Sequence, residues 1–484
     1  MYLRVTFYAL PDDVLLEIFN HYLASARIKV VSWPRRFPED AWHTLVHMCK
    51  RWRTTVFASP HHLQLQLVCT SKRPVQNTLD IWPEFPIVIR GGHGIPLLLV
   101  PQDTNNILAA LKQHNRMCKI DLHHIPNSFL KRIRAMEMKD PFSALTSLQV
   151  HSTQINAPAL PDSFLGGSAP RLQTLYLLGI SFPALPNLLL STHDLVELRL
   201  WNIPPSGYIS PDAMVTCLSA LTRLEMFFHG FRFPRSRADR ESQLVPCLMR
   251  VVLPALTELY FQGDSEYLED IVAQIDTPLL TWVEITFFNQ LIFDTPLLRC
   301  FISRTETFKA LHQARVTFWE GKVNVEFYLR NGDSFHKISS LTIACRPSDW
   351  QLSSVAQVCD SALSPLPTLE RLEIYIKRSW KDDVENAQWV ELLHPFTPIK
   401  DLFLRGESIQ FVAPALEQLA GERVTEALPA LQNLLLEGPQ PSEPAKKMIG
   451  KFVTARQLSG RPVAVNHREG RGLTWQQMHW EVGG

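Results

Sequence analysis

At 484 residues, the chain is long enough for a large core and longer than the usual single compact domain. Its 48 basic and 47 acidic residues leave a net charge of +1, so no global field draws it to nucleic acid or to an anionic membrane. Eight scattered cysteines with no Cys-x-x-Cys pair argue against a disulfide framework and a zinc site, and for reduced thiols in an intracellular protein. The N-terminus lacks a signal-peptide hydrophobic segment, and no run of about eighteen apolar residues occurs. The expectation is a soluble chain of the cytoplasm, the nucleus or both, with neither membrane nor nucleic acid among its partners.

The first organised stretch runs from Leu10 to Leu67. Pro11 suits the first position of a helix, and Asp12 and Asp13 complement the positive end of its dipole. Val14, Leu15, Ile18, Phe19 and Tyr22 follow at helical spacing. That stripe is too wide for one small contact, so this helix should be covered from more than one side. A second helix is expected from Trp42 through Val56, with Trp42, Leu45, Val46, Cys49, Trp52 and Val56 on one face and Lys50, Arg51 and Arg53 pointing away. Two short helices this apolar cannot form a self-sufficient domain and must dock on the chain or on a partner.

Leu10-Pro11, the aliphatic run ending in Ile18-Phe19, and Val46 to Cys49 followed by Trp52 together resemble an F-box. That helical module binds substrate receptors to the Skp adaptor of Skp–cullin–F-box ubiquitin ligases. The link from Ala24 to Glu39, with Trp33-Pro34-Arg35-Arg36, is longer than the usual one and lacks its Asp-Leu. In this it is similar to the numerous F-box proteins of mushroom-forming fungi. The resemblance implies that Leu10, Pro11, Leu15, Leu16, Ile18, Phe19, Val46 and Trp52 contact the adaptor or support that contact.

Ser59-Pro60 stops the helical pattern, and Leu63, Leu65 and Leu67 alternate with Gln64 and Gln66 as in a strand. From here one signature recurs: apolar, two free positions, apolar, one free position, apolar. It appears at Trp82-Phe85-Ile87 and Met117-Ile120-Leu122, then at Leu145-Leu148-Val150, Leu172-Leu175-Leu177, Leu195-Leu198-Leu200, Leu221-Leu224-Met226 and Leu256-Leu259-Phe261. It continues through Leu280-Val283-Ile285, Leu311-Ala314-Val316, Ile338-Leu341-Ile343, Leu369-Leu372-Ile374, Ile399-Leu402-Leu404 and Leu431-Leu434-Leu436. From Met117 to Leu431 there are twelve copies spaced 23 to 35 residues apart.

Period and motif resemble leucine-rich repeats, in which each copy supplies one strand of a curved parallel sheet and the linking segments build the outer wall. The expected fold is therefore α/β: a leucine-rich-repeat solenoid over residues 63–466, preceded by the F-box-like helices (1–62) and followed by a polar tail (467–484). The asparagine that normally follows the last leucine is replaced by Ile125, Ile180, Ile203, Phe288, Thr153 or Asp264, which predicts an irregular wall without an asparagine ladder. Helices are expected at Asn105–Gln113, Ser353–Leu363 and Glu443–Leu458, with a last strand at Pro462–Val465 and with Trp475 and Trp480 beyond it.

No constellation for catalysis, a cofactor or a metal emerges. Gly91-Gly92-His93-Gly94 lacks the Lys-Ser/Thr of a phosphate loop. Gly263-Asp264-Ser265 and Gly332-Asp333-Ser334 are ordinary turn sequences without a Gly-x-Ser-x-Gly elbow. His61-His62 and His123-His124 are sequence neighbours that face opposite ways on a strand and do not suit one ion. The open face of the repeats is more informative. Glu197 and Arg223, and Arg199 and Glu225, are expected to neutralise each other across strands. Tyr176, Arg199, Trp201, Phe227 and Tyr260 are expected to form an exposed aromatic patch that binds a client protein. Phe231 to Gln243 is the longest insertion and concentrates positive charge. The function expected is that of a non-enzymatic substrate receptor, with the F-box on the Skp adaptor and, through it, a cullin ligase, and with the repeats on a client. The rival is a leucine-rich binding scaffold uncoupled from ubiquitination, whose helices only cap the repeats.

Overall fold

Where the apolar triplets recur, alternation at a period of two drives one face of each strand inward and leaves the other open. A computed structural model describes residues 10–28, 41–70, 79, 81–91, 101–234, 250–290, 292–331, 334–344, 348–363, 368–377, 385–420, 427–469 and 476–477. The chain divides into two compact units, Met1–Tyr208 and Ile209–Gly484, each α/β with mostly parallel strands.

In the first unit α1 (Asp12–Ile28), α2 (Trp42–Met48) and α3 (Lys50–Ala58) precede six strands: β1 (Leu67–Thr70), β2 (Ile87–Gly91), β3 (Met117–Leu122), β4 (Ser147–His151), β5 (Thr174–Leu178) and β6 (Glu197–Ile203). These pair in parallel in chain order. Leu148, Leu175 and Leu198 share one row and Val150, Leu177 and Leu200 the next, all fully buried. The expected helix from Trp42 to Val56 is broken in two because Cys49 is extended (φ −160°, ψ 167°). Its sulfur accepts a hydrogen bond from the Trp52 amide at 3.4 Å, capping α3. The Leu63 to Leu67 alternation is not a strand either. Residues 61–64 turn, Gln64 stands at φ 50°, and pairing starts only at Leu67, although all three leucines are buried. Helices α4 (Pro101–Leu111), α5 (Asn127–Arg134) and α6 (Leu185–Leu190) link the strands.

The second unit departs from chain order. After α7 (Pro211–Ser219), strands β7 (Met226–Phe231), β8 (Glu258–Gly263) and β9 (Trp282–Phe288) run parallel, with α8 (Ser265–Gln274) and α9 (Pro296–Arg304) in the links. Next come β10 (Leu311–Trp319), β11 (Lys322–Asn331) and β12 (Ser334–Ala344), an antiparallel meander. Here β12, not β10, pairs with β9, and β10 pairs with β13 (Arg371–Ile376). The copies at Leu311 and Ile338 are thus exchanged relative to the sequence expectation. The intervening strand β11, whose Val323, Val325 and Phe327 are buried, carries no leucine triplet and was not foreseen. The meander also moves a frame: Ser339 and Leu341 lie opposite Val283 and Ile285, so the inward set is Ser339, Leu341 and Ile343, and of the expected triplet only Ile338 drops out. Strands β14 (Asp401–Arg405), β15 (Asn433–Glu437) and β16 (Ala464–Arg468) complete the parallel run. Helices α10 (Ser348–Leu363), α11 (Asn386–Leu393), α12 (Ser408–Gln418) and α13 (Glu443–Leu458) lie between them. Trp475 and Trp480 fall outside the described residues.

Other groups replace the missing asparagines. Ile125, Ile180 and Ile203 turn into the core. Strand exits use left-handed residues at His124, Gly179, Asn202, Gly406 and Gly438, where glycine and asparagine meet little steric cost. Threonine hydroxyls tie successive copies together, Thr146 to the Cys118 carbonyl (3.0 Å), Thr257 to Glu225 (3.1 Å) and Thr281 to Thr257 (3.1 Å). Arginines bracket neighbouring carbonyls, as the buried Arg456 does with Leu431 (3.0 Å) and the half-buried Arg304 with Val272 (2.7 Å).

The same ladder shows that β7 is read in the wrong frame by the triplet Leu221-Leu224-Met226. Two overlapping frames exist here, and the structure takes Leu224-Phe227-His229: Leu224 donates back to Leu221 at 3.1 Å as Leu256 does to Leu253, and Phe227 and His229 lie opposite Leu259 and Phe261. A histidine in the third apolar position hides this frame from a hydropathy reading. His229 is fully buried, stacked on Tyr267 (centroids 5.2 Å) and edge-on to Phe231 (4.8 Å), and among the described residues neither ring nitrogen has a hydrogen-bond partner. Burial pushes its pKa down to about 3. The unfolded chain therefore takes up a proton near pH 6.5 that the folded unit refuses. Stability is expected to be flat in this respect above pH 6.5 and to fall by up to about 1.4 kcal/mol per pH unit below it, down to about pH 3. In His229→Leu that slope disappears, and urea titrations of both proteins at neutral pH and near pH 5 measure the difference.

Candidate partner-binding surfaces

The helix α1 carries two apolar stripes one residue apart. Leu15, Phe19 and Leu23 are buried, with Phe19 packed on Trp52 at 4.8 Å. Val14, Ile18 and Tyr22, at the same four-residue interval, remain 39–42% exposed. The helix is held at its start by Arg51, which was expected to point outward but binds the Asp12 carboxylate at 2.6 Å and the Leu10 carbonyl. A second anchor fixes α2. Trp42 donates to the Gln66 carbonyl at 3.0 Å and meets Trp82 (5.1 Å) and Phe85 (5.7 Å) edge-on. So one face of the helical module is used within the unit, and Met48 on α2, 62% exposed, stays in solvent with the α1 stripe.

Of the residues expected to touch an adaptor, Pro11 and Ile18 are exposed and Leu10, Leu16 and Trp52 are half-buried. Leu15, Phe19 and Val46 are interior; they support the helices and offer no surface. Val14, Tyr22 and Met48 complete the exposed set.

On the open face of the first unit, register places Gln149, Tyr176 and Arg199 side by side on β4, β5 and β6, with His151, Leu178 and Trp201 in the next row. Tyr176 and Trp201 are both half-buried. Arg199 pairs with Glu197 of its own strand, and its guanidinium stands 6.0 Å from the Tyr176 ring. His151 stacks edge-on between Tyr176 (4.2 Å) and His123 (4.0 Å), and His123 reaches the Asp121 carboxylate at 2.8 Å. Burial raises the Tyr176 phenol above its usual pKa, Arg199 opposing it. His123 thus adjoins this row through His151 of the neighbouring strand, a contact that its place beside His124 in the sequence does not reveal.

In the second unit Phe227 is not a surface residue. It is 1% exposed, and the frame shift in β7 turns Phe228 outward in its place, stacked on Tyr260 at 5.0 Å with 16° between the rings. The meander adds further rings. Arg371 lies between Phe335 (5.5 Å) and Phe403 (4.6 Å), and Tyr375 is 39% exposed.

No protein family matches this chain, and no curated protein matches it at a significant level. The surfaces must therefore be read on their own chemistry. A single file of alternating charge crosses seven neighbouring strands: Lys337, Glu326, Arg315, Glu373, Arg405, Glu437 and Arg468. Glu373, with a side chain 7% exposed, accepts from Arg315 at 2.9 Å and Arg405 at 2.6 Å. Burial raises Glu326 and Glu437, but hydrogen bonds and charges from Lys337 and Tyr328, and from Arg405 and Arg468, outweigh it and hold both carboxyls below their usual range. Charges neutralise across strands along this file, whereas Arg199, expected to face Glu225, pairs with Glu197 of its own strand.

Among the described residues no group of three His, Cys, Asp or Glu side chains could hold a metal ion, and no helix is long and apolar enough to cross a membrane. Ser265, the serine of the Gly263-Asp264-Ser265 turn, is buried at the start of α8 with its amide bound by Gln290 at 2.8 Å. Gly332-Asp333 and most of Gly91-Gly92-His93-Gly94 lie outside the described residues, as do residues 235–249 of the basic insertion.

Proposed function

We propose that the chain is a non-enzymatic receptor of the F-box and leucine-rich-repeat kind: α1 and α2 hold a Skp adaptor and the open sheet faces hold a client protein. The observation that carries this reading is the doubled stripe of α1. Leu15, Phe19 and Leu23 fasten the helix to its own unit, and Val14, Ile18 and Tyr22 present a second, solvent-facing stripe on the same rigid helix. Burying that stripe against a partner gains about 25 cal/mol per Å² of apolar area. Proximity supplies the rest: a client tethered beside a ubiquitin-charged enzyme meets it at high effective concentration, and no residue of this chain need form a bond. The scaffold reading draws on Trp42, whose ring cluster and hydrogen bond to Gln66 make α2 also an end cap.

Val14→Asp with Ile18→Asp is expected to lower retention on an immobilised Skp adaptor at least about tenfold, with circular dichroism unchanged because both positions face solvent. Retention equal to the unaltered chain would leave the scaffold reading standing.

A further inference from the structure

On the helical layer of the second unit, α10 and α11 line a groove of about 440 Å³. Its floor is apolar: Ala356 of α10, Val390 of α11, and Leu419 just beyond α12. Its rim is acidic. Asp360 stands one turn beyond Ala356, and Glu391 follows Val390; both are exposed. Elsewhere this layer neutralises its carboxylates, as Glu417 does with Lys451 of the next helix at 2.5 Å. Gln357 and His394 complete the polar part of the lining, and among the described residues no lysine or arginine lines the groove. Among the described residues neither Asp360 nor Glu391 makes a salt bridge or a side-chain hydrogen bond.

We propose that this groove binds an arginine or lysine side chain presented by a protein partner. An aliphatic stem fits against Ala356, Val390 and Leu419, as long cationic side chains commonly lie along apolar surface. The charged head then reaches the two rim carboxylates, and a guanidinium has the planar fork to engage both. An acidic or purely aliphatic side chain meets either repulsion or an unfilled rim. The occupant is thus selected by charge at the rim and by reach at the floor.

The test uses the full chain and fluorescein-labelled pentapeptides of glycine and serine whose central residue is arginine, leucine or glutamate, read by fluorescence anisotropy at low salt. The arginine peptide is expected to bind at least about tenfold more tightly than the other two. Asp360→Asn with Glu391→Gln should abolish that preference, and Val390→Lys, which places a cation of the chain's own in the groove, should block binding with circular dichroism unchanged. Equal binding by the altered proteins would overturn the proposal. So would spermidine binding more tightly than the arginine peptide, which would mark a site for a free polyamine.

Discussion

Phe227→Ala is expected to destabilise the second unit by about 3–5 kcal/mol, whereas Phe228→Ala and Tyr260→Ala should each change stability by less than about 1 kcal/mol. The contrast follows from one frame. Phe227 is 1% exposed and lies opposite Leu259 in the inward row, so its removal leaves a cavity among rings that cannot collapse onto it. Phe228 and Tyr260 stack on the open side and lose mainly each other. Thermal melts of the three variants separate the frames. If Leu221-Leu224-Met226 were the inward set, Phe227→Ala would be mild and Met226→Ala severe. The same variants sort binding from folding: Tyr260→Ala and Trp201→Ala are the ones to weaken client capture while leaving the melt in place.

Glu373→Ala carries the second large effect, about 1–3 kcal/mol. This carboxylate is buried and receives Arg315, Arg405 and Gln313 (3.2 Å) together. Removing it takes the shared carboxylate from between two partly exposed guanidinium groups, which keep only Glu326 (3.8 Å) and Glu437 (3.2 Å) as counter-charges, and the hydrogen bonds lost at that carboxylate dominate the change. Replacing Arg315 and Arg405 by methionine in the same background should recover much of the stability, since burying a charge network often gains little over apolar packing. A milder consequence concerns acid. Glu326 and Glu437 are held below their usual range, so their contribution is complete above the ordinary carboxylate pKa and is lost as pH falls through the depressed values. Melting curves of Glu373→Ala with and without the two arginine replacements decide between charge exposure and lost packing as the cause.

The parallel strands were legible in the sequence because each needs only a local apolar triplet, and β3 through β6 and β13 through β15 follow it in frame. Three features were not. His229 occupies an apolar position, and no hydropathy pattern admits a buried, unpartnered imidazole. The exchange of β10 and β12 is a matter of pairing between strands that each look like a repeat, and it depends on β11, whose alternation of Val323, Val325 and Phe327 carries no leucine signature. The break at Cys49 was hidden because Trp42 to Val56 keeps helical spacing across it. As for the surfaces, helical periodicity identified the wide stripe of α1, but the expected cover on more than one side is met on one only, since Val14, Ile18 and Tyr22 stay exposed. It could not tell which half faces solvent: Leu15 and Ile18 are equally apolar, and Arg51 and Trp52 of α3 decide the matter through tertiary contacts.

The central claim is that this molecule docks an adaptor through the outer stripe of its first helix. Hydrogen–deuterium exchange of the full chain, with and without purified Skp adaptor, addresses it most directly. The account predicts slowed exchange in peptides covering Asp12–Ile28 and Trp42–Met48, with the strands of both units unchanged and with no protection in the Val14→Asp, Ile18→Asp protein. Protection confined to the sheet strands, or none at adaptor concentrations that saturate F-box proteins, would contradict it.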